Sequence, residues 1–180
     1  MKKLFDIFWV ALRKLENIVM IFSAILLVGL VITQVLLRYI FKMPLMGVEE
    51  LACMAGFWMY MLGAASGARE RNHIRADLMR ATIKNDKYYH MLQTFVSLVT
   101  CVLACTMTSW CWNYVSWSLT KRELSPALMI PMYYAQFSLF IAALLMSFYF
   151  FVEFIDHAVI SFGHAPLDLP VPSDDVNSEA

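Results

Sequence analysis

The sequence predicts an all-α membrane protein with four transmembrane helices, both termini on the cytoplasmic side, and short amphipathic helices at the membrane surface. Three observations predict it. Of the 180 residues, 61% are hydrophobic and 16% charged, with a mean hydropathy of +0.62, too apolar for a soluble domain of this length. The apolar residues gather into four blocks, each long enough to cross a hydrocarbon core of roughly 30 Å, which takes about 20 helical residues. Within each block the apolar run is continuous instead of alternating, so helices are expected and not barrel strands, because lipid-facing backbone must satisfy its own hydrogen bonds.

Residues 1–17 come first and are read as a separate interfacial helix. Leu4, Phe8, Ala11 or Leu12, and Leu15 recur at helical spacing, while Lys3, Arg13, Lys14 and Glu16 fall on other faces. The start superficially resembles a secretory signal, but its apolar block is too long and runs into "LLRYIF" without a small-residue cleavage site, so an uncleaved helix is expected. A transmembrane domain then spans 18–155, with crossings at about 18–37, 51–68, 91–117 and 127–154. The first carries no ionisable residue, and the fourth has Glu153 near its end. The third and fourth exceed a perpendicular crossing, which implies tilt or overhang. Between the second and third, Ile74, Leu78 and Ala81 or Thr82 form a weak apolar stripe beside Arg75, Arg80 and Lys84, a second short surface helix. Residues 156–180, Pro-rich and acidic after His164, read as a disordered cytoplasmic tail.

The charges set the orientation. Formal net charge is zero and gives no reason to expect a nucleic-acid partner. With four crossings, Lys2, Lys3, Arg13, Lys14, Arg69, Arg71, Arg75, Arg80, Lys84 and Lys87 share one side, and Arg38, Lys42, Lys121 and Arg122 the other. Ten against four places both termini in the cytoplasm by the positive-inside rule. Trp110, Trp112, Tyr114 and Trp117 then mark the outer end of the third crossing, with Tyr88 and Tyr89 at its inner end.

Candidate chemistry is sparse. His73 and Asp77, at i and i+4 in "GARERNHIRADLMR", would face the same way on a helix, either to share a metal ion or proton or to make a structural pair at the surface. Two ligands are too few for structural zinc, and the nearby arginines oppose a divalent cation while suiting anionic lipid headgroups. Glu49 and Glu50 open the second crossing, where a carboxylate can hold free helix N–H groups, pair with Arg38 or Lys42, or serve substrate or protons. Gly63 and Gly67, with Ala64 between, make a small-xxx-small spacing suited to close helix contact. Ser97, Cys101, Cys105 and Thr108 offer mild polarity for contacts between helices. "LSPALMIP" puts Pro126 and Pro131 at the start of the fourth crossing and predicts a bent or interfacial opening turn. Cys53, Cys101, Cys105 and Cys111 all lie in apolar blocks, which disfavours a disulfide framework or zinc ribbon. His73, His90, His157 and His164 fall at or beyond the ends of the crossings, so no haem ligation is expected, nor any other cofactor or metal.

"VEELACMAGFWMYMLGAASGARERNHIRADLM" followed by "ELSPALMIPMYYAQF" resembles the small membrane subunit of tripartite ATP-independent periplasmic (TRAP) transporters, the DctQ-like family. The matching positions are Glu49 and Glu50, Gly63 and Ala64, His73, Ile74 and Asp77, then Ser125, Pro126, Ala127, Ile130 and Pro131, over roughly residues 15–155. The resemblance implies a bacterial inner-membrane protein that is not an enzyme. Its implied partners are a large DctM-like subunit and a periplasmic substrate-binding protein, besides membrane lipids. It further implies that the small subunit forms part of the fixed scaffold for an elevator motion of the large one, driven by a cation gradient, usually sodium. Organic acids are the implied substrates, C4-dicarboxylates or sialic acids, with sialic acid preferred on overall similarity. Lys42, Gly67, Lys121, Arg122 and Glu123 are the expected partner contacts. The alternatives are a four-helix membrane redox anchor or thiol oxidoreductase subunit, and a small exporter, which would need a buried charge near the midplane.

Overall fold

The computed structural model describes residues 2–43, 45–69 and 86–161, with side chains for 7–43, 45–69 and 91–159. Among the described residues it is all-helical, with α1 at Lys2–Tyr39, α2 at Met46–Arg69, α3 at Asp86–Lys121 and α4 at Tyr133–Ser161. Each contains a stretch long and apolar enough to cross a membrane.

α1 is a single helix. The separate helix expected over 1–17 is continuous with the first span, because no proline and no glycine before Gly29 interrupts the run. Its 38 residues make it about 57 Å long, nearly twice the hydrocarbon thickness. It ends where Ile40 and Phe41 donate to the Leu36 carbonyl and Met43 donates to that of Leu37, with Lys42 in the left-handed region at φ 53°. α2 starts five residues before the expected crossing, so Glu49 lies in its first turn and Glu50 just beyond. α4 begins at Tyr133, not at 127, and runs on to Ser161. The residues before it are a tight hairpin loop: Leu124 and Pro131 pair as an isolated antiparallel bridge, Ser125 N donates to Ile130 O at 2.8 Å, and Met132 N to Glu123 O at 2.9 Å. Pro126 and Pro131 thus shape a loop instead of bending a helix, since the residue before each is pushed away from helical angles. At the far end α4 runs past the expected limit of 154 to Ser161, so His157, expected at or beyond the end of its span, is buried within the helix.

The helices pack in the spatial order α1, α2, α4, α3, each chiefly against its neighbour in that order. This is an open layer, unlike a closed bundle with a common core. Of the most apolar stretch, 33% is buried in α2 and in α4, against 6% in α1 and 11% in α3, which makes α2 and α4 the middle of the layer and α1 and α3 its edges.

α1 and α2 run antiparallel in a register fixed at three levels. Gln34 donates to Glu49 at 3.1 Å, a Cβ on Gly56 would sit 3.9 Å from Leu27 Cδ1, and one on Gly63 would sit 4.0 Å from Met20 Sδ. Successive contacts are seven residues apart on both helices, the spacing of left-handed coiled-coil packing. The buried face of α2 is built mostly of small residues: Ala52, Ala55, Gly56, Ala65 and Ala68 are buried along with Leu62, whereas a Cβ on Gly67 would meet nothing within 4 Å. Along α3 and α4, Thr94 donates to the His157 carbonyl at 3.1 Å, Thr108 to that of Ala143 at 3.0 Å, and Ser147 to Cys105 Sγ at 3.4 Å. Such bonds crosslink apolar helices where packing alone discriminates little.

Candidate functional site

Two polar clusters tie the layer together at its opposite ends. The loop end carries the α1–α2 and α3–α4 connections; the terminal end carries the start of α1 and the end of α4.

At the loop end the Glu50 carboxylate is the centre. Ser125 Oγ donates to Oε2 at 2.5 Å, Leu128 N to Oε2 at 2.9 Å, and Ala127 N to Oε1 at 2.8 Å. Pro126 has no N–H to offer, and the two amides after it converge with the serine hydroxyl into a small anion-binding nest. The acid comes from α2 and the donors from the hairpin loop between α3 and α4, so one side chain fastens that loop to the other half of the molecule. Gly47, one turn before Glu50, lies beneath Leu128: a Cβ there would come within 2.5 Å of Leu128 Cδ2. Gly47→Ala should cost less than about 1 kcal/mol, because the obstructing atoms, Cδ2 and, at 2.8 Å, Cγ, belong to an exposed side chain that can rotate away, and Leu128→Ala should remove even that cost. Equilibrium unfolding of the two single variants and the double variant checks both points.

Glu49, next to Glu50, faces elsewhere and accepts the Gln34 bond from α1. Thus neither acid caps its own helix. Both instead hold other segments, Glu49 the edge helix and Glu50 the loop. Ser125 is buried, while Ala127 is exposed and Ile130 and Pro131 are half-buried. Lys42, Lys121 and Arg122 are exposed around this end, with Glu123 half-buried; Arg122 adopts the left-handed φ of 52° just after α3. Gly63 and Ala64 lie far along α2, Gly63 toward α1 and Ala64 exposed. His73, Ile74 and Asp77 lie outside the described residues, as does the surface helix expected around them.

At the terminal end Glu16 of α1 is 3% exposed, yet it sits between two donors. Arg69 Nη1, at the last residue of α2, reaches Oε2 at 2.5 Å, and the Tyr149 hydroxyl of α4 reaches Oε1 at 2.5 Å. Arg69 also donates to Ser66 at 2.8 Å. Trp9, Ala68, Tyr149 and Val152 close over the group as a buried apolar cluster, with the Trp9 and Tyr149 rings edge to face at 5.4 Å. Three helices therefore meet on one carboxylate. Close by on α4, Asp156 and His157 are buried, and His157 Nε2 lies 3.6 Å from Glu153 Oε1.

The amino-acid pattern pointed toward the loop-end cluster and missed the terminal one. Glu16 stands among charged residues of an amphipathic stretch and reads as solvated, Arg69 is one of several arginines, and Tyr149 lies inside an apolar block. Their only common signal is long-range: an acid just before the first crossing, a base at the end of the second, and a hydroxyl one helical stretch from the end of the fourth.

Chemically, both clusters satisfy carboxylates with donors from other elements, an arrangement that fixes helices and loop against one another. Among the described residues no group of three or more His, Cys, Asp or Glu side chains is placed to hold a metal ion, and the four cysteines are free thiols. A family model described as tripartite ATP-independent periplasmic transporters, DctQ component, matches residues 27–159. That stretch includes the whole loop-end cluster together with Arg69 and Tyr149, and Glu16 lies ahead of it. No curated protein matches the chain.

Proposed function

The chain belongs to the DctQ component family of the tripartite ATP-independent periplasmic transporters, and from that membership we propose that it is the fixed scaffold for the large membrane subunit of such a system. The large subunit carries the transport site and moves by an elevator motion, driven by a cation gradient, usually sodium. A periplasmic binding protein delivers an organic acid, a C4-dicarboxylate or a sialic acid. The chain lies in the bacterial inner membrane with both termini in the cytoplasm, as the ten-to-four bias of basic residues favours.

The observation that best supports a scaffold is the pairing of an open helical layer with a polar lock at each end. An elevator needs a stationary frame that resists the membrane while the mobile part slides. Glu16, Arg69 and Tyr149 hold three helices in register at one end, and Glu50 pins the α3–α4 loop to α2 at the other. Between them the broad apolar faces stay available to lipid and to a partner.

The test is to purify the affinity-tagged full-length chain in mild detergent from its native membrane and identify co-purifying proteins by mass. A large many-helix membrane protein in stoichiometric amount is expected, and deleting this chain should abolish organic-acid uptake. A chain that purifies alone, from cells whose uptake survives its deletion, would overturn the reading.

A further inference from the structure

On α1, Ile18, Ile21, Ile25, Val28, Ile32 and Val35 recur at alternating intervals of three and four residues, the a and d positions of a heptad. All six are β-branched, whereas the twelve other residues of 18–35 include three, Val19, Val31 and Thr33. All six are open to the surroundings, from 49% exposed at Val35 to 68% at Ile25. The seam is not the one that meets α2, which runs through Met20, Leu27 and Gln34, roughly a third of a turn around the helix. Yet the α2 contacts show α1 already packed at a seven-residue period, and a helix with that period keeps every heptad stripe straight along its length. The second stripe is therefore continuous over the same stretch as the established packing.

A lipid-facing surface has no need of a period, and any apolar residue serves there. A facing helix does gain from the pattern: stiff β-branched knobs lose little rotamer freedom on docking, and van der Waals fit is what drives association in lipid. We infer that this seam is the seat of a single apolar transmembrane helix of the larger membrane subunit, packed on α1 in a left-handed supercoil. The inference rests on the proposed function for the identity of that subunit.

A second copy of this chain fits the seam poorly. Copies inserted the same way would bring their α1 helices together in parallel. The next heptad position toward the N-terminus is the exposed Lys14, so parallel seams would set Lys14 against Lys14. Lys14 instead suits a partner helix with an acidic side chain at that level, or one whose carbonyl end lies there.

The test uses the full chain with its partner. Ile25→Trp and Ile32→Trp overfill the seam, while Leu26→Trp and Val31→Trp place the same ring on exposed positions to either side of it. With all four chains present in the membrane at wild-type level, the seam variants should retain about tenfold less of the large subunit on purification than the flanking ones. Equal retention by all four, while the wild-type chain still brings down the large subunit, would overturn the seam and leave the proposed function standing. Failure of the wild-type chain to bring it down would instead strike that function. In a chain whose four native cysteines are changed to Ser, Ile25→Cys alkylated with a benzophenone maleimide should photocrosslink to the large subunit; a photocrosslink between copies would overturn the assignment to that partner.

Discussion

Replacing Arg69 with Leu should destabilise the protein by about 3–5 kcal/mol, the usual cost of removing one member of a buried ion pair. The change leaves the Glu16 carboxylate 3% exposed with the Tyr149 hydroxyl as its remaining partner in this cluster. A charge so placed cannot recover its hydration without opening the contact between α1 and α4. Two further variants separate the charge from the packing. Tyr149→Phe keeps the ring against Trp9 and removes one bond to a charged acceptor, so it should cost less than Arg69→Leu, about 1.5–3 kcal/mol. The double variant Glu16→Leu, Arg69→Leu replaces the pair by apolar volume and should recover much of the loss, since a buried pair is often no more stable than a well-packed hydrophobic substitute. Equilibrium unfolding in detergent or lipid gives the ranking. An Arg69→Leu protein as stable as wild type would mean that Glu16 is hydrated or takes up a proton at little cost, and that the ion pair contributes nothing.

That cluster also shows what a one-dimensional reading leaves out. The four spans were legible because lipid imposes a length and a composition on each crossing, and these are local properties of the chain. Their ends were less so. The starts of α2 and α4 moved because they depend on where the backbone finds other partners: the loop before α4 closes on itself by Ser125 N to Ile130 O instead of opening a helical turn. Glu50, Ser125 and Ala127 carry recognisable types at recognisable spacing. That they form one unit is a fact of the fold, since the acid and its donors are 75 to 78 residues apart. For Glu16 even the type misled. A carboxylate beside Arg13 and Lys14 reads as a surface charge, and only the folded arrangement brings Arg69 and Tyr149 to it. The glycines show the converse. Gly63 and Gly67 have the spacing that invites close helix approach, whereas the tightest burial on α2 falls on Ala65 and Ala68, one or two residues from Gly67.

The two locks differ in what they protect. Glu16 joins three helices in a dry setting, so its loss acts on the whole layer. Glu50 lies at the open end, where water can reach the carboxylate and the global cost of losing it is smaller, but the segment it holds has little else to fix it. Leu124 and Met129 on that loop are largely exposed, Met129 sits in the left-handed region at φ 53°, and the hairpin's own bonds are few. Its shape depends on three donors converging on one anion.

Glu50→Ala should therefore loosen the loop without unfolding the helices. The Ala127 and Leu128 amides and the Ser125 hydroxyl would have to turn to water, and a turn that gathers three donors around nothing has no reason to stay closed. Glu50→Gln is the sharper test. It keeps the volume and one carbonyl oxygen, but its NH2 group would face a donor and the charge that strengthens all three bonds is gone, so it should behave closer to Ala than to Glu. Glu50→Asp keeps the charge on a shorter arm and should lie between. Hydrogen exchange at the Ala127 and Leu128 amides, and cleavage of the loop by added protease, should rise several-fold in the Ala and Gln variants while exchange in the middle of α4 stays at the wild-type rate. Loosening of both regions together would mean that Glu50 supports the fold as a whole. Unchanged exchange at the two amides would mean that the hairpin holds itself and the carboxylate is only a bystander.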